Sequence, residues 1–133
     1  MQDRPTATEL LDALAAFMRD RAANARDRWE RFQFQVAANS MGILERELKM
    51  DDGFMREEWR SLDELLGPEP MPEGQHAFTR RLSERNGELV ERIQRGDFDG
   101  ENEAKLLPYL YQTVVNKVRI ASPNEWKQLN ERK

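Results

Sequence analysis

Five side chains spread over three predicted helices could together do chemistry. They are Asn39, Arg46, Glu47, Asn86 and Lys117. Helical periodicity places Asn39, Asn86 and Lys117 each in the middle of an otherwise apolar stripe. A polar group among apolar side chains needs a partner, and Glu47 is the natural counter-ion for Lys117. The spacing therefore predicts a polar cluster that could bind a small ligand, or give weak catalysis through Lys117 and Glu47.

Two other interpretations fit the same residues. A hydrogen-bonded network that only fixes the register of the helices needs the same partners and binds nothing, and the residues favour this interpretation. Lys117 also lies about one turn from the end of its predicted helix, so its ammonium group could reach solvent and leave no cluster. The substitution Lys117→Met separates these cases, because stranding Glu47 in a buried pair should cost about 3–5 kcal/mol.

The sequence predicts no catalytic residue, no metal site and no cofactor. His76 is the single histidine and there is no cysteine, which removes histidine acid–base chemistry, thiolate metal sites and cysteine nucleophiles. No serine lies in a nucleophile elbow, and no glycine loop of the phosphate-binding kind is present. Residues 97–100 begin like a calcium-binding loop, but loop positions six and twelve hold Asn102 and Pro108 instead of glycine and glutamate.

A second candidate for ligand binding is the stretch 19–31, which is dense in arginine. It contains five arginines and three acidic residues, with Trp29 among them. An anion or nucleotide patch and a solvated helix face with i,i+4 ion pairs both fit this pattern, and the interleaved acids favour the solvated face.

The composition is that of an acidic protein with enough apolar residues for a core. The chain has 133 residues and a formal net charge of −4, with 38% hydrophobic and 35% charged residues. The negative charge argues against nucleic acid or an anionic membrane as the main partner. No apolar run approaches the roughly 18 residues of a membrane span, and the first residues do not resemble a signal peptide. We expect a soluble cytoplasmic protein.

The periodicity predicts an all-α protein forming one domain over residues 1–133. Five main helices and a short C-terminal helix are expected at about 7–22, 25–49, 53–66, 75–95, 103–121 and 123–130. The second helix is expected to be central, because stretch 32–48 is apolar on two opposite faces. Asp51, Asp52 and Gly53 predict a break after it, and the proline- and glycine-rich stretch 67–74 predicts an exposed connection.

Three stretches, 4–11, 36–48 and 113–123, resemble an uncharacterised bacterial family of small helical proteins. The family pattern matches at Arg4, Pro5, Asn39, Arg46, Glu47, Leu48, Asn86, Gly96, Lys117 and Pro123. The chain departs from it at Ser122, where the family has asparagine, and at Gln94, where it has arginine. Members are encoded beside acyl-CoA dehydrogenases and aminoglycoside-phosphotransferase-like kinases. The resemblance therefore implies a role in acyl-CoA or hydroxy-acid catabolism.

Three functions are compatible with these features. The leading hypothesis is a non-catalytic accessory or interaction protein that serves an acyl-CoA dehydrogenase and a kinase, and it predicts an exposed apolar patch near Trp29, Trp59 or Trp126. The second is a small-molecule or acyl-chain binding domain, which predicts a cavity among the second, fourth and fifth predicted helices. The third is a purely structural homodimeric bundle.

Overall fold

The computed structural model describes residues 4–132, and the elements found there are helical. Five α-helices follow one another: α1 (Ala7–Ala23), α2 (Arg28–Leu66), α3 (Gln75–Gln94), α4 (Glu103–Ala121) and α5 (Pro123–Glu131). A 3₁₀ turn, Gly100–Asn102, precedes α4. The described residues contain no strand, and the predicted all-α class is confirmed. None of their helices combines the length and apolarity needed to cross a membrane.

The largest difference from the predicted helices is in α2, which also begins at Arg28 instead of near residue 25. We expected a break at 50–52, but α2 is one helix of 39 residues. A glycine inside a helix costs only about 1 kcal/mol relative to alanine, and Gly53 is followed by the buried side chains Met55 and Trp59. Asp52 lies inside this helix and pairs with Arg56 one turn later at 3.0 Å. Burial of the following turns thus outweighs the local break signal.

The predicted start of α1 is confirmed in detail. The Thr6 hydroxyl accepts the backbone N–H of Glu9 at 3.2 Å, and the Glu9 carboxylate accepts the backbone N–H of Thr6 at 2.8 Å. This reciprocal pair is a capping box, and it satisfies two N–H groups that the helix itself cannot pair.

The chain divides into two compact units, and the first ends at Asp51. It contains α1 and the first part of α2, joined by a connection of four residues, 24–27. The guanidinium of Arg21 lies 5.7 Å from the centre of the Phe34 ring, so the end of α1 lies beside the start of α2, as in an antiparallel hairpin. The fully buried residues of the pair are small: Ala15, Ala22, Ala38 and Gly42. The expectation that both apolar faces of stretch 32–48 are covered is not met in this unit.

The second unit begins at Asp52 and holds a conventional apolar core. The end of α2 packs with α3 and α4, and the turn between α3 and α4 adds one phenylalanine. The core residues are Met55, Trp59, Leu62, Phe78, Leu82, Leu89, Phe98, Leu106 and Tyr109. The connection after α2 starts at Gly67, whose φ of +103° is one that glycine adopts without strain. Its Glu69 carbonyl accepts the indole N–H of Trp59 at 3.2 Å, so the connection is tied to the core.

Candidate functional site

The five predicted site residues lie in different parts of the fold. Asn39 and Glu47 are exposed on α2 in the first unit, and Arg46, on the same helix, is half-buried. Lys117 is exposed on α4, and Asn86 is half-buried on α3, both in the second unit. The structure thus places Lys117 in solvent, as the snorkelling interpretation expects. Of the five residues, Asn86 belongs to a polar cluster.

That polar cluster consists of Glu58 on α2, Asn86 on α3 and Tyr109 on α4. The Asn86 amide N–H donates to the Glu58 carboxylate at 2.7 Å and to the Leu82 carbonyl at 3.1 Å. The Tyr109 hydroxyl lies 3.0 Å from the same carboxylate and also within bonding distance of the Asn86 carbonyl. Asn86 therefore has partners on two other helices, Glu58 and Tyr109, which were not among the predicted site residues.

The electrostatics of the polar cluster favour a neutral tyrosine. Burial first, and then the negative charge of Glu58, raise the pKa of Tyr109. The phenol therefore keeps its proton at physiological pH and acts as a hydrogen-bond donor, not as a base. The signal that could have identified Tyr109 in the sequence is its spacing, because it lies three residues after the buried Leu106 on one face of α4.

The substitution Tyr109→Phe tests whether the polar cluster stabilises the fold. We expect the free energy of unfolding to fall by about 1–2 kcal/mol, because the half-buried Glu58 carboxylate and Asn86 amide lose a shared donor. Urea denaturation followed by circular dichroism measures the change. The matched control is Tyr111→Phe, at a tyrosine that is 56% exposed, with an expected change below about 0.5 kcal/mol. Equal effects at both positions would show that the polar cluster contributes nothing.

A groove runs between the end of α2 and the start of α4, beside the polar cluster. It measures about 650 Å³, and we call it the α2–α4 groove. Its lining is Ser61, Glu64, Leu65, Ala104, Lys105, Pro108, Tyr109 and Gln112. Pro108 has no backbone N–H, so the Ala104 carbonyl cannot receive the usual helical bond from that position. A polar molecule could therefore find a cation, a carboxylate and hydrogen-bonding groups here.

A second groove, between α4 and α5, is almost purely apolar. It measures about 240 Å³, and we call it the α4–α5 groove. Its lining is Tyr111, Val114, Val115, Val118, Trp126 and Leu129. Trp126 thus lies in an apolar surface depression, as the leading hypothesis predicted for one of the three tryptophans. Trp29 is also exposed, at 67%, whereas Trp59 is buried in the core.

The exposure of Lys117 gives a definite expected result for Lys117→Met. A buried pair with Glu47 would make this substitution cost several kcal/mol, but both side chains are exposed. We expect the free energy of unfolding to change by less than about 0.5 kcal/mol, as for other surface positions. A thermal melt of the two proteins is sufficient, and a loss of several kcal/mol would contradict the observed placement.

The turn before α4 begins like a calcium-binding loop in sequence, but its first aspartate is used in ion pairs within the fold. Asp97 accepts hydrogen bonds from Arg92 at 3.1 Å and from Arg95 at 3.0 Å. These two guanidinium groups, Arg92 first, hold the pKa of the Asp97 carboxyl below its usual value. Among residues 4–132, no group of three or more histidine, cysteine, aspartate or glutamate side chains is arranged to hold a metal ion.

Comparison with known proteins identifies one family. Residues 24–125 match the family described as a domain of unknown function (DUF6285). The match covers well over half of the chain, so the chain belongs to this family. Its range contains the polar cluster and the α2–α4 groove. No curated protein and no solved structure shows significant similarity to the chain.

Proposed function

We propose that this member of the DUF6285 family is a non-catalytic accessory protein that binds a protein partner through the α4–α5 groove. The observation that carries the proposal is the exposure of apolar side chains on both walls of the groove. Val114 and Tyr111 on α4 are 58% and 56% exposed, and Leu129 on α5 is 55% exposed. Contiguous exposed apolar surface of this kind is typical of interaction sites.

The size of the groove favours a protein partner over a free small molecule. Pockets for small molecules usually measure about 300–1,000 Å³, and the α4–α5 groove, at about 240 Å³, lies below this range. An open channel between two helices instead suits the apolar side of a partner helix, whose anchoring side chains enter at spacings of three and four residues. Trp126 would give the contact a large, rigid apolar wall.

The resemblance to proteins encoded beside acyl-CoA dehydrogenases and aminoglycoside-phosphotransferase-like kinases supports one of these enzymes as the partner. An accessory protein with no catalytic constellation of its own would act on such an enzyme by stabilising it, positioning it or bringing the pair together. The proposal therefore places this protein in acyl-CoA metabolism as a binding subunit.

The proposal is tested by affinity purification of the tagged full chain from its native cell extract, with mass spectrometry of the recovered proteins. We expect a dehydrogenase or a kinase in a fixed molar ratio with the wild type, and its loss with Val114→Glu. Val90→Glu is the matched control, because Val90 is 51% exposed on α3, away from the groove lining. Recovery that is equal for both variants would contradict the assignment of the groove.

A second candidate function is the binding of a small molecule in the α2–α4 groove. Its volume of about 650 Å³ falls within the usual range for ligands, and its lining mixes charged and apolar groups. The Tyr109 hydroxyl at its wall belongs to the polar cluster. A rise in melting temperature with an acyl-CoA or a hydroxy acid, abolished by Lys105→Glu, would support this function. Unchanged melting with both ligand classes would count against it.

A further inference from the structure

The N-terminal hairpin, formed by α1 and residues 28–51 of α2, lacks an adequate core of its own. Its fully buried residues are three alanines and one glycine, Ala15, Ala22, Ala38 and Gly42. Such small residues allow the two helices to approach closely but remove little apolar area from water. A pair of helices this small usually needs further cover to be stable, because most helical stability comes from tertiary packing.

One side of this hairpin carries the apolar residues that such cover would bury. On α1, the residues turned towards α2 are Leu11, Ala15, Met18 and Ala22. Leu10, Leu14 and Phe17 each precede a member of that row, so they lie side by side on one flank of α1. All three are exposed, at 44%, 46% and 56%.

The same flank continues onto α2. Glu45 and then Asp12 raise the pKa of Lys49, which places Asp12 of α1 beside this part of α2. Glu45 and Lys49 are therefore on the side of α2 that faces α1, as Ala15 is on the side of α1 that faces α2. Leu44 and Leu48 come one position before them, just as Leu14 comes one position before Ala15. In an antiparallel pair, residues that precede the facing positions lie on the same side of both helices. The shared surface, here called the hairpin face, consists of Leu10, Leu14, Phe17, Leu44 and Leu48.

The area of the hairpin face matches the need of a symmetric dimer. Leu44 is 49% exposed and Leu48 is 60% exposed, so both add substantial apolar surface. The five side chains together leave on the order of 500 Å² open, taking full side chains at roughly 150–250 Å² each. Two copies would bury about 1,000 Å² from these residues alone, which is the lower limit for a specific interface.

The charges at the two ends of the hairpin are complementary. The closed end, residues 19–31, has five arginines and three acidic residues. The open end, residues 4–12 with 45–51, has five acidic and three basic residues. Arg19, Arg28 and Arg31 have no carboxylate partner among the described residues, while Arg26 is paired with Glu30 at 3.0 Å. Two hairpins stacked head to tail would place each positive end over a negative end.

We propose that a second copy of this chain covers the hairpin face. The two hairpins stack head to tail around a two-fold axis and form an intermolecular four-helix bundle. A two-fold arrangement makes the hairpin face self-complementary, so that each copy contributes the same leucines and the same phenylalanine. The inference does not depend on the α4–α5 groove.

The test is sedimentation equilibrium of the purified full chain over a wide concentration range. We expect a monomer–dimer equilibrium for the wild type and a dissociation constant at least about 30-fold higher for Leu14→Glu. Two exposed control positions lie off the hairpin face, Val36 on the same unit and Leu110 on α4. Val36→Glu and Leu110→Glu should dimerise like the wild type. Circular dichroism checks that all variants remain helical.

Three results would overturn the proposal. A wild-type chain that is monomeric at every concentration would leave the hairpin face to another occupant. Dissociation caused by Val36→Glu and not by Leu14→Glu would move the interface to the opposite side of α2. An association that strengthens between low and physiological ionic strength would contradict the head-to-tail orientation, because screening must weaken attraction between opposite charges.

Discussion

Replacing Arg85 by alanine is expected to lower the free energy of unfolding of the second unit by about 3–5 kcal/mol. Arg85 is only 1% exposed, and its guanidinium donates to the Asp63 carboxylate at 2.8 Å and to the Gly67 carbonyl at 2.9 Å. It also lies 4.4 Å from the centre of the Trp59 ring. Removing it leaves Asp63 without its cation and the Gly67 carbonyl without its donor from α3.

Urea denaturation of the full chain measures this effect. Arg80→Ala is the matched control, because Arg80 is exposed on the same helix, N-terminal to Arg85, and should change stability by less than about 0.5 kcal/mol. Arg85→Lys should recover only part of the loss, since an ammonium group cannot make the forked contact to Asp63 and Gly67. A loss below about 1 kcal/mol for Arg85→Ala would show that the buried pair contributes little.

Trp59→Ala is expected to destabilise the protein by a similar amount, about 3–5 kcal/mol. Trp59 is 1% exposed at the centre of the core, and its ring lies 5.4 Å from that of Phe78. The substitution removes the largest fully buried side chain, opens a cavity and leaves the Glu69 carbonyl without the indole donor. Calorimetry or urea denaturation gives the magnitude.

The chain offers a matched control for this substitution in Trp29→Ala. Trp29 is 67% exposed, and its removal should change stability by less than about 0.5 kcal/mol. Because Trp59 contacts Arg85, the double variant Trp59→Ala, Arg85→Ala should lose less than the sum of the single losses. Strict additivity of the two losses, or comparable effects at the two tryptophans, would contradict the described core.

The helices could be predicted from the sequence because apolar spacing and capping signals agree over most of the chain. Thr6 and Glu9 form a capping box at the start of α1, and Pro123 begins α5 without a capping bond from the Ser122 side chain. The break expected after the second helix failed for a physical reason. The low helix propensity of residues 51–53 costs about 1 kcal/mol. Burial of the side chains in the following turn outweighs this cost.

The polar contacts of the second unit could be predicted only in part. The periodicity identified Asn86 as a residue needing a partner, but it did not point to Glu58 or Tyr109. The same limit applies to Arg85. It lies in the apolar row Phe78, Leu82 and Leu89 of α3, and this spacing does not show which groups balance its charge. The missing information is tertiary: Asp63 and Trp59, on a helix more than twenty residues away, supply its counter-ion and its aromatic contact.

The surfaces could not be assigned from the sequence at all. Both apolar faces of stretch 32–48 were expected to be covered, and the structure leaves Phe32, Val36, Leu44 and Leu48 exposed. A periodic apolar stripe looks the same whether it is covered by its own chain or by another one. The proposed partner site in the α4–α5 groove and the proposed dimer contact at the hairpin face both follow from that exposure.

The most direct measurement of the proposed accessory function is the molar ratio of enzyme to tagged chain in the affinity purification, compared between wild type and Val114→Glu. We predict a fixed ratio of an acyl-CoA dehydrogenase or a kinase to the wild-type chain and a ratio near zero for Val114→Glu, with Val90→Glu unchanged. Recovery of the wild-type chain without either enzyme would contradict the proposed function.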